Sequence, residues 1–102
     1  MVSHLALINI FQDVNDIFLI DQLLHSRDIQ KIQEKIIQAV NESKRDISNN
    51  ITLWAAQHNL TDIIKNYLGK VTIKKTTLIQ EAIKYNNLEA LNYLLDYTKE
   101  QL

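Results

Sequence analysis

The apolar positions of this chain recur every three or four residues and rarely alternate, so the pattern is helical nearly throughout. In 2–25, Leu5, Ile8 and Phe11, then Ile17, Ile20, Leu23 and Leu24, keep helical spacing, with a polar break at 12–16. That predicts two short helices or one bent one, with Asp13 or Asn15 capping the second. From Asp28 to about Lys44 the alternation of faces is cleanest. Ile29, Ile32, Ile36, Ile37 and Val40 form one stripe; Gln30, Lys31, Gln33, Glu34, Lys35 and Gln38 form the other face. This is a helix half buried on a neighbour, with Ser26 or Asp28 placed to accept its first free N–H groups. Ser48, Asn49 and Asn50 then mark a loop or cap.

The stretch 50–68 repeats in 77–95 at a constant offset of 27 residues, without a gap. Ala55 falls on Ala82, Asn59 on Asn86 and Asp62 on Glu89. Ile63, Ile64, Tyr67 and Leu68 fall on Ala90, Leu91, Leu94 and Leu95. Each copy reads as helix, Asn turn, helix: 51–58 and 61–68 around Asn59, then a helix opening at Thr77 and another over 88–98 around Asn86–Asn87. Asn tolerates the left-handed backbone that such turns need. Gly69 stands where a helix end takes a left-handed residue, and 70–76, with Val71 and Ile73 alternating, reads as an extended link or short strand. Thr77 and Gln80 have the spacing of a capping box.

The absence of proline and the single glycine narrow the fold. Sandwiches and barrels draw on Gly and Pro for tight turns, and phosphate-binding loops need glycines where the backbone meets phosphate. The expected fold is therefore all-α: one compact domain over 1–102 with about six helices. Residues 1–45 complete the core, and 50–98 form two stacked helix-turn-helix units.

Those units resemble the ankyrin repeat, in which a T-P-L-H-x-A-A helix pairs with a G-H-x-E-I-V-x-x-L-L helix. In TLIQEAIKYNNLEALNYLL, Thr77, Ala82, Glu89, Leu91, Leu94 and Leu95 match that pattern; in the first unit Ala55, Ala56, Asp62, Ile63, Ile64 and Leu68 do so. The proline and the T-P-L-H histidine are missing, and Asn59 and Asn86 replace the turn glycines. The offset of 27 falls short of the usual repeat of about 33 residues. The resemblance covers 50–95 and implies degenerate ankyrin-like hairpins used to bind protein. Such arrays need about three units. Ile36, Ile37 and Val40 lie 27 residues before Ile63, Ile64 and Tyr67, so the long helix is placed to stack as an earlier second helix.

Composition offers little chemistry. A net charge of −1 gives no general basic face for nucleic acid, and Lys70, Lys74 and Lys75 read as a solvated link. Without cysteine there is no disulfide or thiolate site, which favours a reducing, intracellular (cytoplasmic) setting; delivery to a host cell stays open. The apolar start has no preceding Lys or Arg and reads poorly as a leader. No apolar run nears the ~20 residues of a membrane span. His4, His25 and His58 belong to no metal-ligand pattern, and no carboxylate pair or Ser–base pair suggests catalysis. No cofactor, metal or enzymatic activity is expected.

The expected function is a non-catalytic protein–protein interaction module, an adaptor or inhibitor that masks a partner's surface. In the ankyrin-like register Trp54 and Glu81 take the variable position before the small contact residues, and His58 and Tyr85 flank the turns. Trp54 and Tyr85 would anchor the partner within a rim of Gln57, His58, Glu81 and Lys84. Trp54 has a second placement, packed under the N-terminal helices as core. The alternative function is self-association, a homodimer formed through the Ile29/Ile32/Ile36/Val40 stripe or the apolar first 24 residues.

Overall fold

A computed structural model of the protein describes residues 27–43 and 46–101, so the helices expected over 2–25 lie outside the described residues. The described chain is all-helical, with no strand. Five helices follow in order: α1 (Ile29–Glu42), α2 (Ser48–Gln57), α3 (Thr61–Tyr67), α4 (Lys75–Lys84) and α5 (Leu88–Gln101). The Cα radius of gyration is 13.1 Å, close to the ~13 Å of a compact 100-residue domain.

Local chemistry sets where each helix starts. Asp28 caps α1, its carboxylate accepting the Lys31 N–H at 3.1 Å. Asp46 accepts both the N–H (3.1 Å) and the hydroxyl (2.6 Å) of Ser48. That turn starts α2 at Ser48, where the pattern placed its start near Ile51. These two bonds also hold the exposed Asp46 carboxyl below the usual carboxylate range.

Helix α4 begins at Lys75, two residues ahead of the expected capping box. Lys74 is extended (φ −62°, ψ 133°) and is the N-cap. Its carbonyl accepts the Thr77 and Leu78 N–H groups at 3.0 and 3.4 Å, so Thr77 sits inside the first turn instead of capping it. The cause lies upstream. Asn49 grips Thr72, accepting its N–H at 2.9 Å and donating to its hydroxyl at 2.8 Å. With Thr72 fixed and Val71 buried, the link is spent within a few residues and forms no strand. Gly69 also departs from expectation. No glycine has positive φ, because Leu68 stays helical (φ −56°, ψ −36°) and the Lys70 N–H returns to the Tyr67 carbonyl at 2.8 Å. The left-handed residues are Asn59 (φ 59°) and Asn86 (φ 57°), one in each hairpin turn.

Packing follows the sequence repeat. α2 pairs with α3 and α4 with α5; α2 lies on α4, α3 on α5, and α1 on the free side of α3. The small residues make this possible: Ala55, Ala56, Ala82 and Ala90 are fully buried where helices meet. α1 thus occupies the place of an earlier second helix. Its stripe is consumed internally, with Ile32, Ile36, Ala39 and Val40 buried and Ile29 alone left exposed. Ile32, Ile36 and Val40 thus pack within the chain.

Three side chains that bond between units register the stack. Gln33, expected on the polar face of α1, is buried. Its Oε1 accepts the Asp62 and Ile63 N–H groups at 2.8 and 3.4 Å, the second and third positions of α3, whose own N-cap residue Leu60 offers no side-chain bond. Asn59 Oδ1 does the same for α5, accepting the Ala90 N–H at 3.0 Å. Tyr67 donates to the Ile37 carbonyl or the Asn41 carboxamide at 3.1 and 2.8 Å, fastening α3 to the end of α1.

Gln33→Ala leaves one buried and one partly buried N–H group without that partner and should cost about 1–3 kcal/mol in urea unfolding. Gly69→Ala should be neutral or stabilise by up to ~1 kcal/mol, since its backbone suits alanine and the nearest atom to an added Cβ is the Tyr97 hydroxyl at 3.9 Å.

Candidate functional site

The six residues expected to meet a partner come from the C-terminal halves of α2 and α4 and from the turns that follow. Because α2 lies on α4 and Asn59 reaches α5, both turns fall at one edge of the stack. The structure divides the six by depth. Trp54 is 2 % exposed and belongs to the core, the second of its two placements. It is thereby removed from the list of exposed anchors. The physical reason is volume: beside the small Ala55 and Ala56, the indole supplies the bulk on the buried face of α2, at the position where the second unit has the half-buried Glu81. His58 covers its edge, with ring centroids 4.9 Å apart and planes inclined by 54°.

Gln57, His58 and Glu81 are half-buried, while Lys84 and Tyr85 are exposed. Lys84 Nζ sits 5.5 Å from the centroid of the Tyr85 ring, a cation–π contact that keeps the two side chains together on the surface. Partial burial lowers the His58 pKa from its ordinary value, desolvation being the main cause. The imidazole is therefore neutral at pH 7. Three buried side-chain atoms have no hydrogen-bond partner among the described residues: Thr52 Oγ1, Trp54 Nε1 and Glu81 Oε2. Trp54 and Glu81 are repeat counterparts, one on α2 and one on α4.

The repeat pattern did not single out a set of large apolar side chains exposed on the last hairpin. Ile83, Tyr85, Leu88 and Leu95 are 59, 49, 61 and 47 % exposed. The available signal was the repeat itself, which puts Ile83 and Leu88 where the first unit has Ala56 and Thr61. A separate open depression of about 350 Å³ lies at the α1–α2 junction, lined in part by Val40, Asn41, Asp46, Tyr67 and Lys70. Its polar groups are already engaged, Asp46 with Ser48 and Tyr67 with Ile37 and Asn41. Among the described residues no group of three or more His, Cys, Asp or Glu is placed to hold a metal ion. No described helix is long and apolar enough to cross a membrane.

Comparison with known proteins supplies no relative: no protein-family model, no curated protein and no solved structure matches the chain.

Trp54→Ala should cost about 3–5 kcal/mol in denaturant unfolding, the range of a large aromatic removed from a core. The His58 shift also fixes a pH dependence. A folded-state pKa below ~6.5 means the unfolded chain binds the proton more readily. Stability should therefore fall as pH drops below ~6.5 and level off once pH passes the folded value. In His58→Gln that component of the slope should vanish, measured as the difference in urea midpoint from the parent protein between pH 7.5 and 5.

Proposed function

We propose that this protein is a non-catalytic protein–protein interaction module, an adaptor or inhibitor that works by covering a surface of a partner protein. Its units act as degenerate ankyrin-like hairpins, a scaffold whose core fixes the helices and whose edge meets the partner. The observation that carries this reading is the exposure of Ile83, Tyr85, Leu88 and Leu95 on one terminal hairpin, beside an otherwise closed core. Scattered exposed apolar residues are ordinary, but four on a single hairpin form a surface suited to desolvation by a protein. Tyr85 with Lys84 supplies an aromatic anchor beside a charge, a composition favoured at binding hot spots. Gln57 and His58 border the same edge and complete a polar rim.

The test is crosslinking of the protein in its native host, identification of the bound partner, and calorimetry with the purified pair. Tyr85→Ala should weaken binding by more than 1 kcal/mol while circular dichroism stays that of the parent protein. If Tyr85→Ala and Leu88→Ala both bind as tightly as the parent, the surface is misassigned.

A further inference from the structure

The 27-residue repeat allows the inner and outer faces of the stack to be compared position by position. Four pairs are buried in both hairpins: Ile51 and Leu78, Ala55 and Ala82, Ile63 and Ala90, Tyr67 and Leu94. These close each hairpin and join it to the helices before it. Three other pairs behave differently. Ala56, Thr61 and Leu68 are 0, 6 and 1 % exposed, whereas Ile83, Leu88 and Leu95 are 59, 61 and 47 % exposed.

The covered members of those pairs lie where the second hairpin rests on the first. The Ala56 carbonyl accepts from Asn87 at 2.7 Å, and the Thr61 hydroxyl donates to Glu89 at 3.3 Å. Their counterparts are thus the contact positions for a hairpin beyond α4 and α5. A unit that ends a stack carries polar residues on its outer face. Here two of those positions are more apolar than their covered equivalents, Ile83 for Ala56 and Leu88 for Thr61, and the third is Leu in both.

Asn86 adds a polar counterpart to the same argument. Its twin Asn59 reaches out of its own turn to cap α5, the second helix of the next hairpin. Asn86 has the same left-handed backbone, φ 57° against 59°. It is exposed, and its carboxamide has no partner among the described residues. The turn has the geometry of the Asn59 cap, and among the described residues its carboxamide serves no helix.

We propose that this face receives a helical hairpin of a partner protein, laid on α4 and α5 as they lie on α2 and α3. Ile83, Leu88 and Leu95 are its apolar seat, and the Asn86 carboxamide accepts the first free N–H groups of the hairpin's second helix. The proposal rests on the reading of the protein as an interaction module and specifies the form of the partner. A helix pair with small residues at the crossing, like Ala82 and Ala90 here, fits the seat. An extended peptide offers no helix start for Asn86.

The experiment supplies such a hairpin at high effective concentration, as a second copy of residues 69–102 joined through a flexible Gly/Ser linker after Leu102 of the full chain. The added hairpin should fold onto the parent in one cooperative transition with a larger urea m-value. The amide of its Ala90 equivalent should be protected from exchange. Asn86→Gly keeps the left-handed backbone and removes the carboxamide. It should reduce that protection roughly fivefold, the loss of one hydrogen bond, while leaving the midpoint of the unextended protein unchanged. Leu88→Glu with Leu95→Glu, both at exposed positions, should release the added hairpin without unfolding the parent.

An added copy that exchanges freely, or whose protection ignores Asn86 and Leu88, overturns the proposal. So does an unextended protein that sediments as a dimer and is split by Leu88→Glu with Leu95→Glu, because a second copy would then hold the face. Loss of partner binding in Tyr85→Ala, combined with a free added hairpin, would leave the interaction module standing and remove only the hairpin as its ligand.

Discussion

A helix cannot satisfy its own first backbone N–H groups, and in this protein the side chain that does so belongs to the unit before. Gln33 serves α3 and Asn59 serves α5. Neither helix supplies a side-chain cap of its own to those groups: Leu60 has no polar atom to offer, and Asn87 turns its carboxamide to the Ala56 carbonyl. Capping is thereby converted from a local device into an intermolecular style of contact made within one chain. It fixes the height at which each outer helix meets its neighbour, something that Leu and Ile packing alone leaves adjustable. The alanines at the helix crossings work with it, since helices held apart by larger side chains would carry these amides out of reach.

The helical class and the hairpin boundaries near Asn59 and Asn86 were legible because they depend on near-neighbour chemistry: periodicity, and a residue that accepts positive φ. The errors come where distant groups decide. Thr77 has the spacing of a cap, but the grip of Asn49 on Thr72 shortens the link and starts α4 earlier. Gly69 stands at a helix end, yet Lys70 closes the turn without left-handed backbone. Gln33 looks polar and outward until the open start of α3 is set beside it. Trp54 and Tyr85 were equal candidates as anchors by residue type. Only the third dimension shows that one fills the core and the other faces solvent.

The two ends of the repeat also differ in a way that sequence similarity conceals. Ala56 and Ile83 align, as do Thr61 and Leu88, but in each pair the larger apolar residue is on the open side. Identity between repeat units measures shared architecture; the substitutions between them record what each unit has to face. Here Ala55 with Ala82 and Asn59 with Asn86 are identical and hold the hairpin shape, while Leu68 and Leu95, also identical, differ in exposure. The differing ones assign interior and edge.

The two capping bonds share a direction: in both, the acceptor precedes the amide it serves by about one unit in the chain. During synthesis, when chains fold from the amino end onward, each outer helix emerges after the group that will receive its first amides. A chain elongating from its amino end thus never presents one of these two helices before the side chain that caps it.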